Sequence, residues 1–266
     1  MECTDTTDPG GQMDVDDIRF KVAAARRILY RQGCDSGVAG HVSARADEPG
    51  TFWVTPFEYF DETTPDRLIR VDGDLRLLEG DWEPSPAIQF HAAIYGSRPD
   101  VGSIIHTHSH WVSVFSSLGR PVGMYNVAAV LFHGSQALYA DDGTRPSAEG
   151  VRLAEALGDN GVLLMRNHGA IIASGSIEAA TVEAMTLEAA TRYHIECEAI
   201  GGAEIPEAEV VQSRRDYDRY FRRMTWDANL RRLRRSDPDL FDWLDRPLAM
   251  AAGPGDITPE GSAAHG

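Results

Sequence analysis

Cysteine is scarce in this sequence, and long apolar runs are absent. The three cysteines among 266 residues, Cys3, Cys34 and Cys197, are odd in number and form no C-x-x-C pair, which excludes a disulfide framework and suits a reducing compartment. No segment approaches the roughly 18 to 20 consecutive apolar residues of a membrane helix. The acidic start also lacks the basic and apolar regions of a secretory signal. The sequence therefore predicts a soluble, cytoplasmic protein with no membrane partner.

Basic residues are also in short supply. Lysine and arginine together number 25 against 41 aspartates and glutamates, which gives a net charge of −16 at pH 7. A surface potential of this sign repels phosphate backbones and anionic lipid headgroups. The arginines clustered between residues 214 and 235 are therefore interpreted as a solvated helix face paired with nearby acids. We expect no nucleic-acid partner.

The composition divides the chain into one folded domain and two tails. Residues 1–14 are expected to form a disordered acidic tail, and residues 249–266 a disordered C-terminal tail. Both are rich in Gly, Pro, Ala, Asp or Thr and bury too little apolar surface to offset the entropy of ordering. No composition break divides residues 15–248, which predicts a single domain.

Apolar residues at helical spacing predict several helices. One covers residues 16–32, and a longer one runs from Ser176 to about Ile200. Ser85 followed by proline is typical of a helix start, because proline at the first helical position loses no hydrogen bond. Residues 207–244 are expected to be helical as well.

Shorter apolar runs predict strands between these helices. Residues 101–108, 162–168 and 170–174 are expected to be buried strands, and residues 52–56 and 67–72 two further short ones. Helices interleaved with short strands are typical of an α/β layered domain.

The segment HTHSH contains three of the nine histidines. Because side chains alternate across a strand, His106 and His108 are expected to point to the same face, close enough to share one ion. Neutral imidazole suits zinc, iron and similar ions, but two hydrogen-bonded histidines at a strand end would give the same pattern. A catalytic site needs a third ligand. His168 in RNHGA is the candidate, although a histidine before glycine can equally cap a turn.

Several motifs together resemble the class II aldolase and adducin family. They are AGHVSAR (residues 39–45), WVTP (53–56), EPSPAIQFHAAIYGSRPDVGSIIHTHSHW (83–111) and LLMRNHGAII (163–172). Their order and spacing match the family over about residues 16 to 235.

This resemblance implies an α/β fold, a three-layer αβα sandwich around a mainly antiparallel or mixed central sheet. It also implies a homotetramer with sites near the subunit interfaces. The metal ligands of the family are the two histidines of H-x-H and the histidine of the later H-G, which correspond to His106, His108 and His168.

Four positions depart from the sugar-phosphate aldolases of this family. Those aldolases carry a glutamate general base where this chain has Ala87, and a serine where it has Pro86. Glu58 replaces a glycine, and His41 replaces an asparagine. A methyl group cannot accept a proton, and a carboxylate beside a phosphate repels it. The departures therefore favour a non-phosphorylated substrate and chemistry without a side-chain base.

Within the family, residues 21–45 and the substituted P-S-P-A (84–87) are similar to the bifunctional non-haem iron oxygenases of aminocoumarin antibiotic biosynthesis. That similarity implies Fe(2+) as cofactor, O2 as co-substrate and a small aromatic 2-oxo or 2-hydroxy acid as substrate. A prenylated 4-hydroxyphenylpyruvate would pass through a 4-hydroxymandelate to a 4-hydroxybenzoate by successive oxidative decarboxylations.

Two alternatives stay open. Three imidazoles accept Zn(2+) or Mn(2+) as well as iron, so a divalent-metal decarboxylase or an aldolase-type lyase on a non-phosphorylated oxo or hydroxy acid is the first. A scaffold without catalytic activity, as in the adducins, is the second.

Further residues are candidates for substrate binding, each with a structural alternative. The aromatic side chains of Trp53 and Phe57 would line an apolar pocket or belong to the core or a subunit interface. The Glu58 carboxylate would bind a substrate hydroxyl or, as we favour, be solvated, and His91 would lie near the site or, as we favour, in the core. The candidates are Trp53, Phe57, Glu58, Ser85 and His91.

His110 would extend the histidine cluster as a further ligand if the strand continued. Ser109, however, is typical of a helix cap, which would turn His110 away from the ion.

Overall fold

Eight strands form one mixed sheet in the computed structural model, which describes residues 14–82, 85–140 and 146–245. The strands are β1 (His41–Arg45), β2 (Thr51–Val54), β3 (Ile69–Asp72), β4 (Leu77–Glu79), β5 (Ser103–Thr107), β6 (Gln136–Tyr139), β7 (Val162–Met165) and β8 (Gly169–Ser174). Their order across the sheet is β4-β3-β2-β1-β5-β8-β7-β6. All neighbours are antiparallel except β6 and β7, which are parallel.

Helices cover both faces of this sheet. They are α1 (Ile18–Arg31), α2 (Gln89–Ser97), α3 (His110–Ser116), α4 (Pro146–Leu157), α5 (Ile177–Ala199), α6 (Glu207–Asp216), α7 (Arg222–Ser236) and α8 (Pro238–Phe241). One apolar core lies between the sheet and α1, α3, α5 and α7, and a second lies between the opposite face and α2 and α4. The fold is the predicted three-layer αβα sandwich, because each face buries its own apolar set.

The sequence periodicity located most of these elements. Helices α1 and α5 lie within residues 16–32 and 176–200, as predicted. The helix expected at Ser85 starts instead with a 3-10 turn, Pro86–Ile88, before α2. The predicted tails, residues 1–14 and 249–266, lie outside the described residues except for Asp14.

The strand expected at residues 101–108 is shorter than predicted. It begins at Ser103 and ends at Thr107, so the prediction that His108 belongs to the strand is wrong by one residue. Among the described helices, none combines the length and apolar character needed to cross a lipid bilayer.

A buried carboxylate joins the first helix to the C-terminal helices. Asp237 lies between α7 and α8 and accepts hydrogen bonds from Arg27 at 3.4 Å and Arg31 at 3.1 Å. Burial alone would raise the pKa of Asp237, but hydrogen bonds from Arg31 and Ser236 and the charges of both arginines outweigh it, so the pKa falls below its ordinary value.

We expect Asp237→Asn to lower the free energy of unfolding by about 2 kcal/mol at neutral pH, since it removes charge-assisted hydrogen bonds to buried Arg27. Because the folded-state pKa is depressed, this advantage of the carboxylate is present above its ordinary pKa of 3.8 and is lost as the pH falls through the lower folded-state value. Urea unfolding of both proteins at pH 7 and in acid measures it. If the two proteins still differed by the same free energy of unfolding in strong acid, the stabilising role of the Asp237 carboxylate would be contradicted.

Candidate metal centre

Three histidine rings meet where β5 ends beside the turn between β7 and β8. His106 lies in β5, His108 follows that strand, and His168 lies in the turn. The Nε2 atom of His108 is 2.9 Å from Nε2 of His106 and 2.8 Å from Nε2 of His168. One ring nitrogen from each residue lies within 4.8 Å of the other two. The structure therefore brings together the three residues that the sequence predicted as ligands.

The hydrogen bonding of these rings fits a cation between them. His106 Nδ1 is 2.9 Å from the carbonyl oxygen of Ala170, which can only accept, so this ring carries its proton on Nδ1 and a lone pair on Nε2. His106 Nε2 has no proton to donate, and His108 Nε2 either donates one proton or accepts one, so at most one of the two short contacts is a hydrogen bond. A divalent cation would relieve this conflict, and a backbone carbonyl on Nδ1 is a usual partner of a metal-binding imidazole.

Burial favours the neutral form of these rings, which is the form that binds a metal. It is the main cause that lowers the pKa of His106 well below its usual value, and neighbouring rings lower it further. Burial and the adjacent His168 lower the pKa of His108 to about 4. At neutral pH, His106 and His108 therefore present lone pairs rather than positive charges.

The turn that carries His168 depends on a glycine that has no room for a side chain. Asn167 adopts a φ of 59°, in the left-handed region, and Gly169 follows the histidine as the first residue of β8. A Cβ atom on Gly169 would lie 2.3 Å from the carbonyl oxygen of Thr107 and 3.1 Å from the ring of His108. This close approach of β8 to the end of β5 is what places His168 against His108.

A carboxylate from α5 fixes the chain directly after the second histidine. Glu188 accepts hydrogen bonds from Ser109 Oγ at 2.7 Å and from the backbone amides of Trp111 and Val112, both at 2.9 Å. It thereby satisfies the free amides at the start of α3. Ser109 holds the predicted cap position, but Glu188 supplies the acceptor. Sequence reasoning missed Glu188, because nothing local links it to a helix about 80 residues earlier.

The expectation that His110 turns away from the other histidines agrees with its position. It is the exposed first residue of α3, and its ring packs edge-on against Trp111 with the centroids 5.1 Å apart. In the described part of the chain it does not belong to the cluster of three histidines that could hold a metal ion.

The three rings open into a cavity of about 180 Å³. Its lining is mainly apolar and includes Ala87, the residue that replaces the glutamate base of the aldolases. The lining residues are Ala39, Gly40, His41, Phe57, Ser85, Ala87, Phe90, His106, His108, Gly150, Leu153, Met165 and His168. None of these side chains is a carboxylate or a lysine or arginine. The imidazoles of the three-histidine cluster are thus the main reactive groups of this lining.

Two of the candidate substrate-binding residues, Phe57 and Ser85, line this cavity, and three do not. Trp53 is buried in the core, where Arg19 and Arg70 flank its ring. The expectation that it lines the cavity is therefore corrected, because β2 turns its side chain toward α1.

The expectation that Glu58 is solvated is wrong, because the structure buries it. Glu58 does not line the cavity either. It is 5% exposed, and its Oε2 accepts a hydrogen bond of 2.6 Å from Arg67. His91 is fully buried one layer behind the cavity, as favoured. It forms a hydrogen bond of 2.9 Å with His41, which does line the cavity.

Buried Arg26 holds the loop that carries Phe57. Its guanidinium donates to the carbonyl oxygens of Pro56 at 3.1 Å and Glu58 at 2.7 Å, and stacks 4.0 Å from the centroid of Phe60. Burial lowers the pKa of Arg26 to about 10, so it stays charged at neutral pH. Both neighbours of Phe57 are therefore anchored through their backbones.

This chain is similar in sequence and fold to several known proteins. The family described as "Class II Aldolase and Adducin N-terminal domain" matches residues 20–195. A relative from Streptomyces roseochromogenus subsp. oscitans, named 4-hydroxy-3-prenylphenylpyruvate oxygenase/4-hydroxy-3-prenylbenzoate synthase, is 31% identical over 73% of this chain and 73% of its own length. The meiotically up-regulated gene 14 protein of Schizosaccharomyces pombe is also 31% identical, over 60% of this chain and 64% of that protein.

Other relatives carry different enzyme names, including L-fuculose phosphate aldolase of Escherichia coli and 3,4-dihydroxyphthalate decarboxylase of Arthrobacter keyseri. Such names support an enzymatic function, and the histidine cluster could hold a divalent metal. The solved structure of an aldolase II superfamily protein from Pseudomonas syringae superposes with a TM-score of 0.76 at 26% identity, over 84% of this chain and 94% of that one. Fold, histidine cluster and sequence match together show that this chain belongs to the class II aldolase and adducin family.

Proposed function

We propose that this chain is a non-haem iron(II) oxygenase that converts a prenylated 4-hydroxyphenylpyruvate, by way of a 4-hydroxymandelate, to a 4-hydroxybenzoate. Each oxidative decarboxylation consumes dioxygen and releases carbon dioxide, and the second also releases water. The observation that carries the proposal is the convergence of three imidazoles on a cavity with no carboxylate in its described lining and with Ala87 in place of a base.

The residues around the site suit each part of this substrate. Three uncharged nitrogen ligands leave an iron(II) ion its full charge and open positions, where it would chelate a 2-oxo acid and supply redox chemistry with dioxygen. His106, His108 and His168 would hold the ion. Phe57 and Phe90 offer apolar surface for an aromatic ring. The Streptomyces relative named as an oxygenase further supports the proposal.

A metal-dependent decarboxylase is the second candidate function. The relatives named decarboxylase NovR and 3,4-dihydroxyphthalate decarboxylase support it, and the same three nitrogens accept zinc or manganese. The absence of a phosphate-binding cation from the described cavity lining favours both candidates over a sugar-phosphate aldolase.

Oxygen consumption separates these candidates. We expect protein reconstituted with iron(II) under anaerobic conditions to leave the prenylated arylpyruvate unchanged until air is admitted, and then to consume dioxygen as benzoate appears. An oxygen electrode and chromatography of the products measure both. Zinc-loaded protein is the control and should be inactive. Turnover without oxygen would establish the decarboxylase, and neither oxygen uptake nor benzoate with iron would end the oxygenase proposal.

The assembly and location implied by the family resemblance stay predictions. We expect a homotetramer in the cytoplasm.

A further inference from the structure

A chain of four hydrogen-bonded side chains leads from the core to the cavity. Tyr95 Oη is 2.8 Å from Ser43 Oγ, and Ser43 Oγ is 2.6 Å from His91 Nδ1. His91 Nε2 is in turn 2.9 Å from His41 Nδ1. All four residues are buried, and His41 alone of them lines the cavity. Its ring lies beside that of His106, with the centroids 5.2 Å apart.

Only one direction of the donors in this chain places the unpaired proton at the cavity, on His41, rather than in the core, on Tyr95. Among the described residues, Ser43 Oγ is the acceptor offered to the Tyr95 hydroxyl. Burial raises the pKa of that hydroxyl and keeps it protonated, while hydrogen bonds to Ser43 and Ile104 and the charge of Arg45 act in the opposite direction. Tyr95 therefore donates to Ser43, since the reverse arrangement would strand its proton at a cost of about 1–3 kcal/mol.

The remaining bonds follow from this first one. Ser43 uses its single proton to donate to His91 Nδ1, so the proton of neutral His91 lies on Nε2 and is donated to His41 Nδ1. Both rings are buried, which disfavours a charged imidazolium, and a neutral imidazole carries one proton. His41 must then carry its own proton on Nε2, the ring nitrogen for which the described residues provide no partner.

We propose that His41 presents an Nε2–H donor to the cavity and binds a carboxylate or 2-oxo oxygen of the substrate, with Tyr95, Ser43 and His91 as positioning residues that fix its tautomer. This inference rests on the proposed function for the substrate class. Apart from the metal-facing rings, Ser85 is the only other hydrogen-bond donor side chain in the described lining. An acidic substrate chelated by the ion would need such a donor, because no lysine or arginine lines the described cavity.

Nitrogen NMR tests the tautomer without any catalysis. In metal-free protein labelled with ¹⁵N, a long-range proton–nitrogen spectrum, assigned by comparison with His41→Asn, should show the His41 proton on Nε2. Tyr95→Phe removes the donor that sets the direction and should yield a mixture of tautomers, whereas Tyr193→Phe, at an exposed tyrosine, should leave the spectrum unchanged. A proton on Nδ1 in the unmodified protein would overturn the inference.

Ligand binding tests the role of the donor. Zinc-loaded protein, which cannot turn over with oxygen, should bind 4-hydroxymandelate at least about tenfold more tightly than His41→Phe does, the usual effect of losing a hydrogen bond to a charged group. His41→Asn keeps an N–H donor and should recover part of the affinity, with zinc content equal in all three proteins. Equal affinity, or no binding by the unmodified protein, would overturn the proposed contact. If the affinity for 4-hydroxymandelate depends on His41 but the iron-loaded protein consumes no oxygen, the oxygenase proposal fails while the proposed contact stands.

Discussion

His108→Ala is expected to abolish metal binding and activity together. Its Nε2 atom is the one that approaches both other ring nitrogens, at 2.9 and 2.8 Å, so its loss leaves His106 and His168 without the ligand between them. Replacing a residue that only holds a metal ligand in position already costs about 10- to 100-fold in metal affinity. We therefore expect His108→Ala to retain about a tenth of an equivalent of metal or less and to lose about a thousandfold or more of kcat/KM. Elemental analysis and oxygen uptake measure the two effects.

The matched control is His110→Ala, two residues further along the chain. That ring is exposed and packs on Trp111 rather than on the cluster, so metal content and activity should be unchanged. Circular dichroism of both variants excludes unfolding as the cause. A full equivalent of metal in His108→Ala, or loss of metal in His110→Ala, would show that the three rings do not form the site.

Gly169→Ala is expected to have the second largest effect, although it adds a single methyl group. The added carbon would lie 2.3 Å from the carbonyl oxygen of Thr107, so β8 must move away from β5. We expect a loss of unfolding free energy of about 3 kcal/mol, at the upper end for overpacked sites, together with weakened metal binding. Thermal unfolding and metal titration of the purified variant measure both.

Gly96→Ala, within α2, is the control for this substitution. A Cβ atom at Gly96 meets no neighbouring atom within 4 Å, and alanine favours a helix more than glycine does. This variant should therefore be at least as stable as the unmodified protein and bind metal normally. If Gly169→Ala behaved in the same way, the close contact between the two strands could not be what positions His168.

The sequence predicted the secondary-structure elements around the candidate site wherever local periodicity decides the structure. Helices α1 and α5 were found from their apolar stripes, and residues 170–174 from an unbroken apolar run that forms most of β8. His168 could be named because it ends the apolar run predicted as a strand over residues 162–168, although β7 ends at Met165 and His168 lies in the turn that follows. The resemblance to the family then linked it to His106 and His108, which lie 60 residues earlier.

The side-chain positions that the sequence did not predict depend on contacts between segments far apart in the chain. His41 lies opposite His106 because β1 and β5 are neighbours in the sheet, which no local pattern reveals. The direction that Trp53 faces likewise depends on which sheet face α1 covers. Glu58 was expected in solvent, yet it is buried against Arg67 because the loop folds back on the core.

The anchoring of the loop by Arg26 has a consequence for how ligands enter. Phe57 is 59% exposed at the mouth of the cavity, but the carbonyl groups on either side of it are bound by a buried guanidinium. Swinging the whole loop outward would break both hydrogen bonds and leave a charged group in the core without acceptors. Rotation of the Phe57 ring about its own side-chain bonds breaks neither of these hydrogen bonds. We therefore expect a bulky aryl group to enter the cavity by rotation of the Phe57 side chain, while the backbone on either side of Phe57 stays bound to Arg26.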